Sequence, residues 1–185
     1  MIRTFTRTPG QMLALWRNRY LYEAVAPGGA VTGRTDSPST DAVLMCAIRI
    51  AYASAAAELD PALLPLTDIA PLISLSVDSR GVGTALLPEG TQRVESVICR
   101  GWDAPARIIT PAHHDAVARQ ANRFSRGGKT APVALVLPRR MMLYSFEPQS
   151  EAAVTSCIAV RMPAPDEDFL LTSPLLSKML SYELP

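Results

Sequence analysis

The spacing of apolar positions changes along the chain, and each change marks an element. Pro9 and the run QMLALWRNRYLYEAVA predict a helix from about residue 9 to 25, with proline in a first-turn position that a helix tolerates. A second helix is predicted from about Thr40 to Leu59, TDAVLMCAIRIAYASAAAEL, with a Ser39 or Thr40 hydroxyl as N-cap and Asp41 in the first turn. Val43, Ala47, Ile50, Ser54 and Ala57 mark one face of it, and Leu44, Ile48, Ala51 and Ala55 mark the adjacent one. Between Asp41 and Glu58 the only charged side chain is Arg49, so this helix is expected to be covered on nearly all sides, by its own domain or by a neighbouring protomer.

Asp60-Pro61 ends that helix, and ALLPLTDIAPLI reads as a proline-punctuated apolar connection. Period-two alternation then predicts strands over Ile73 to Val77 and Thr84 to Leu87, divided by the turn Asp78 to Gly83. Further strands are expected over Arg93 to Cys99, Ala106 to Ile109, Pro132 to Leu137 and Met141 to Phe146, with Val154 to Arg161 closing against the last two. Between them Pro111 opens a helix, AHHDAVARQANRF, that stops before Ser125-Arg126-Gly127-Gly128. Met162-Pro163-Ala164-Pro165 breaks the sheet, and Leu175 to Leu184 forms a terminal helix. The expected class is α+β: an antiparallel sheet or small β-sandwich flanked by helices, with an N-terminal helical arm. Residues 1–38 read as that arm and a Gly/Pro/Ser/Thr linker, and 39–185 as the core domain with a C-terminal helical segment.

Composition sharpens this picture in three places. A chain of 185 residues, 48% hydrophobic, can bury a real core. Its apolar stretches are interrupted before a bilayer could be spanned, and MIRTFTRTPGQ lacks a signal-peptide core, so an intracellular product without a membrane anchor is expected. Cys46, Cys99 and Cys157 lie far apart and read as buried thiols. The net charge of +1 hides segregation: residues 1–20 and 91–140 are basic, while 21–90 and 141–185 are acidic. Such blocks let one copy's basic region face another's acidic region, or form a mixed solvated surface.

Candidate chemistry is sparse. His113 and His114 are consecutive and point about 100° apart on a helix, so they cannot make an i, i+4 metal face. No metal, cofactor or catalytic residue is assigned, and an enzymatic role is not expected. Arg80-Gly81-Val82-Gly83 falls between strands and reads as a tight turn, and Gly127-Gly128-Lys129-Thr130 lacks the upstream glycine of a phosphate loop. The basic segment 119–140 supplies Arg119, Arg123, Arg126, Lys129, Arg139 and Arg140 as candidate contacts for a neighbouring subunit or for nucleic acid, with Arg119 and Arg123 on one helix face. Trp16, Tyr20 and Tyr22 are three of eleven aromatic residues, and are candidate docking aromatics for their own core or for a neighbouring subunit.

The order of these pieces over residues 41–165 resembles the tail-adaptor or head-to-tail connector ring proteins of short-tailed phages and prophages of gut Bacteroidales, including crAss-like phages. The resemblance rests on DAVLMCAIRIAYASAAAEL, the proline-flanked connection, Leu87-Pro88-Glu89, the strand ending Arg100-Gly101-Trp102, and Pro105-Ala106-Arg107. It continues through Arg119-Gln120-Ala121-Asn122, Arg126-Gly127-Gly128, Pro132-Val133-Ala134, Leu143-Tyr144-Ser145 and Arg161-Met162-Pro163. The N-terminal arm is longer than in that family, and the chain stops at Pro185 where such proteins often continue a helix. The resemblance implies a virion structural protein: a homo-oligomeric ring between portal and tail proteins, assembled in the bacterial host cytoplasm, through which DNA passes with at most a passing contact. The other class kept open is a nucleic-acid-binding module using residues 119–140.

Overall fold

A computed structural model describes residues 3–24, 40–147 and 151–182 of the chain. Its elements, in chain order, are β1 (Thr4–Arg7), α1 (Pro9–Ala24), α2 (Thr40–Glu58), β2 (Thr67–Asp68), β3 (Ser74–Val77), β4 (Val82–Leu86), β5 (Thr91–Cys99) and β6 (Arg107–Ile109). Then come α3 (His114–Ala121), β7 (Val133–Leu137), β8 (Arg140–Tyr144), β9 (Val154–Arg161), β10 (Phe169–Thr172) and α4 (Ser173–Ser181). The class is α+β with an N-terminal helix, as the apolar periodicity predicts. The expected linker, 25–38, lies outside the described residues, as does the N-cap at Ser39.

Two compact units make up the chain, residues 1–65 with 162–185, and residues 66–161. The Gly/Pro-rich stretch before Ser39 predicts a boundary at 38/39 instead. Yet α1 and α2 pack together in the first unit.

In the first unit, Thr8 and Gln11 form a reciprocal cap on α1. The Gln11 N–H donates to Thr8 Oγ1 at 3.2 Å, and the Thr8 N–H donates to Gln11 Oε1 at 3.0 Å. Met12 and Trp16, one turn apart, are buried from that helix. Ile48, Ala51, Tyr52, Ala55 and Ala56 form the buried face of α2, which packs on α1 and α4. The Tyr52 ring meets Phe169 of β10 at 6.2 Å between centroids. Strand β10 pairs antiparallel with β1, from Thr4 opposite Thr172 to Arg7 opposite Phe169. Neither strand is expected from the sequence pattern, since FLLT shows no period-two alternation and TFTR holds a single apolar residue. Thr172 is fully buried; its hydroxyl donates to the Leu63 carbonyl at 2.6 Å and accepts the Leu175 N–H at 3.3 Å, capping α4.

The second unit holds a five-stranded sheet in the order β3-β4-β8-β7-β6 and a three-stranded sheet in the order β2-β9-β5. All pairs are antiparallel except β6–β7, which are parallel and joined through α3. One core lies between the sheets, with Val94, Val97, Cys157 and Ala159 from one and Ala85, Ala134, Met141 and Leu143 from the other. The Ala106 N–H donates to the Val97 carbonyl at 2.8 Å and ties the sheets together where β5 turns toward β6. Helix α3 covers part of the outer face of the larger sheet, setting Ala116 and Val117 on Ile109, Val133, Leu135 and Tyr144.

Three sequence expectations are corrected here. Strand β9 does not close against β7 and β8, because β8 already pairs with β4 and β7 with β6, leaving that hairpin no free edge; β9 pairs with β5 and β2 instead. Helix α3 starts at His114 rather than Pro111. The His113 N–H donates to the Thr110 carbonyl at 2.9 Å and Nδ1 accepts the Thr110 N–H at 3.1 Å, holding residues 110–113 in a turn. Helix α2 is not covered on nearly all sides within one chain: Val43, Cys46 and Ile50 are exposed along one face, Val43 by 54% and Ile50 by 60%.

Candidate interaction surfaces

Helix α3 ends at Ala121, and the chain then turns through residues 122–127 in a tightly tied loop. Asn122 does most of the tying. Its Oδ1 accepts the Phe124 N–H at 2.9 Å, and its carbonyl accepts the Ser125 and Arg126 N–H groups, each at 3.1 Å. The Ser125 hydroxyl donates to the Arg119 carbonyl at 2.7 Å. Buried Gln120 accepts the Gly127 N–H through Oε1 at 3.2 Å while its Nε2 donates to the Ala116 carbonyl at 3.2 Å, so the loop is anchored to the helix it leaves. The Ser145 hydroxyl donates to the Gly127 carbonyl from a residue at φ 96°, a conformation that side chains other than glycine rarely hold. An added Cβ at Gly127 would run into the Ala131 carbonyl oxygen, which explains glycine there.

The consequence of this bonding is the display of one side chain. Phe124 is 96% exposed, the most exposed large hydrophobic among the described residues, and Arg119 and Arg123 beside it are exposed too. The sequence pattern predicts Phe124 as the last residue of the helix, whereas α3 ends at Ala121. A lone aromatic in the polar run Asn122-Arg123-Phe124-Ser125-Arg126-Gly127-Gly128 was the signal available.

The six basic candidates do not form one patch. Arg123 lies past the end of α3, so it does not share a helix face with Arg119 as the i, i+4 spacing predicts. Arg126 turns inward: its Nη1 donates to the Arg80 carbonyl at 2.8 Å, and its guanidinium lies 6.0 Å from the Tyr144 ring centre. Burial pushes the Tyr144 hydroxyl above its ordinary range, and the Arg126 and Arg80 charges pull it back. Lys129 pairs with Glu147 at 3.5 Å. Arg139, at φ 62°, and Arg140 belong to the β7–β8 turn, at the far end of a five-residue strand from the 122–129 loop, roughly 13 Å along it.

The aromatic candidates separate as well. Trp16 is 1% exposed, buried within its own unit, so of its two expected roles the core contact is the one it has here. The side chains of Tyr20 and Tyr22 lie outside the described residues. His113 is occupied by Thr110, and among the described residues no three His, Cys, Asp or Glu side chains stand where they could hold a metal ion. Arg80 and Gly81 lie in a turn, as their setting between strands predicts, but Val82 and Gly83 already belong to β4; Asp78 Oδ1 accepts the Arg80 and Val82 N–H groups at 2.8 and 2.9 Å. Among the described residues, no helix is long and apolar enough to cross a membrane.

Among the described residues, the large exposed apolar side chains are Phe124, in a loop flanked by arginines, with Leu66, Leu72 and Leu86 on the second unit, and Val43 and Ile50 on the open face of α2 on the first. Their units carry opposite charge, with eleven basic and eight acidic residues in 66–161 against seven basic and nine acidic in the remainder. No family model matches the chain, and no curated protein matches it in sequence.

Proposed function

We propose that the chain is a virion structural protein, one subunit of a homo-oligomeric head-to-tail connector or tail-adaptor ring between the portal and tail proteins of a short-tailed phage. The observation that carries this reading is the open face of α2. A helix this apolar, left with Val43 and Ile50 exposed by more than half in a single copy, has a surface suited to burial against another protein. The ordered resemblance over residues 41–165 supplies the identity of the assembly, and the opposite charges of the two units supply a means of orienting one copy on the next.

A nucleic-acid module using residues 119–140 is less well supported. Two of its six cations are engaged within the chain, and two more stand at the other end of β7. Electron microscopy of the purified protein and of phage particles tests the ring: closed rings, and density for the chain at the portal–tail junction, are expected. A protein absent from particles overturns the reading.

A further inference from the structure

We infer that the 122–127 loop is a preformed anchor that seats Phe124 on the open α2 face of a second copy, joining identical chains head to tail. The inference deepens the ring reading and rests on it for the identity of the partner.

The loop has the properties of an anchor rather than of a mobile tip. Asn122, Ser125 and Gln120 hold its backbone, Ser145 fixes Gly127, and Arg126 ties it to the carbonyl of Arg80. Because its hydrogen bonds are made before any partner arrives, seating Phe124 requires little further ordering of the chain. Aromatic and arginine side chains dominate the binding energy of protein interfaces, and here a fully displayed phenyl ring stands beside Arg119 and Arg123.

The α2 face is a matching receptor. Val43 and Ile50 are two turns apart on the helix, about 10.5 Å, with the smaller Cys46 and Ala47 between them, so the face offers apolar surface at both ends with smaller side chains in the middle. That face belongs to the unit with two more acidic than basic residues, whereas Phe124 belongs to the unit with three more basic than acidic. Exposed Asp60 stands just past the carboxyl end of α2, where the helix dipole adds negative potential for Arg119 and Arg123 to approach, while Glu58 beside it is already paired with Lys178 at 2.7 Å. Anchor and receptor are different surfaces, so the contact is heterologous, and repeated heterologous contacts close into a ring or run on as a filament. Stacking of Phe124 on single-stranded DNA is the competing use. It is disfavoured because Arg126 and Lys129 are engaged within the chain and Arg139 and Arg140 stand at the far end of β7, which leaves few cations near the loop to meet phosphates.

Sedimentation velocity of the full chain across a concentration series is the test, on wild type, Phe124→Glu and Ile50→Glu. Both sites are exposed, and unchanged far-ultraviolet circular dichroism establishes that the variants fold. Wild type is expected to self-associate, more weakly at high salt, and each variant to associate about 30-fold or more weakly. An equal mixture of the two variants is expected to restore a dimer and nothing larger, because the Phe124→Glu copy keeps a sound α2 face and the Ile50→Glu copy keeps a sound anchor. Association unchanged in Phe124→Glu overturns the inference while leaving closed rings to other contacts. Phe124-dependent filaments or dimers that never close sustain it and sink the ring. A wild type that stays monomeric to about 1 mM overturns it, as does Phe124-dependent binding of oligothymidylate without association between copies.

Discussion

The Asp68 carboxylate accepts the backbone N–H of Cys157 at 2.9 Å, joining positions 89 residues apart. The next N–H in the connection, that of Ile69, returns a bond to the Cys157 carbonyl at 2.8 Å. A two-residue strand, β2, is thereby held to β9 by more than its own short ladder.

That contact predicts an acid-sensitive component of stability. The backbone donors Cys157 and Ala70, in that order, hold the Asp68 carboxyl below the ordinary aspartate range. A carboxylate lowered in the folded state contributes fully above its unfolded value of about 3.9, and the contribution is lost as pH falls through the lower folded value. Asp68→Asn should melt below wild type at pH 7, with the gap narrowing below about pH 4. Thermal melts from pH 7 to 2.5 measure it, and a gap independent of pH contradicts it.

Thiol titration should divide the cysteines. Cys99 and Cys157 are buried, and burial pushes each thiol up to about 12, whereas Cys46, expected to be buried like them, is exposed on the open face of α2. The native chain should release one equivalent promptly with an aromatic disulfide reagent at pH 8, and the other two only after denaturation. Three prompt equivalents would contradict the burial of β5 and β9.

Removing the Thr172 hydroxyl should be costly. Thr172→Ala loses the cap of α4 and strands the Leu63 carbonyl, for about 1–3 kcal/mol, while Thr172→Ser should retain most of the stability. Urea unfolding of the three proteins gives the comparison, and equal midpoints for Ala and Ser would refute it.

Two glycines offer a matched pair. Gly81 and Gly101 have φ 73° and 83°, but an added Cβ at Gly81 would run into the Phe146 carbonyl oxygen, whereas at Gly101 it meets nothing within 4 Å. Gly101→Ala should cost about 1 kcal/mol, for the left-handed backbone alone. Gly81→Ala should cost more than about 2 kcal/mol, because backbone must move as well. Equal losses on denaturation would remove the steric argument.

Local pattern made the helices and most strands of this chain legible. Ser74 to Val77 alternates, Pro9 opens α1, and Asp60-Pro61 closes α2. Pairing was less legible, because it depends on which edges remain free after other strands have taken theirs. Nothing within Val154 to Arg161 distinguishes β5 from β8 as its neighbour, and that choice decided the placement of β9. The basic candidates failed to gather for a similar reason. Arg119 and Arg123 are four apart in sequence, but the helix that would align them stops at Ala121, where Asn122 satisfies the loop backbone better than another helical turn would. Phe124 escaped notice because exposure is a tertiary property, and a phenylalanine at a helix end ordinarily points inward.

The register Thr4 opposite Thr172 sets a timetable for synthesis. Strand β1 leaves the ribosome well before β10, its partner among the described residues, with the whole of residues 66–161 made in between. At about 5–20 residues per second the wait is roughly ten seconds to half a minute. Every strand of the 66–161 unit emerges within that interval, so the middle of the chain can fold while its two ends still lack each other. A stalled or truncated chain would then carry a finished sheet pair with an unfinished unit attached, and quality control in the cell would meet β1 as its exposed strand.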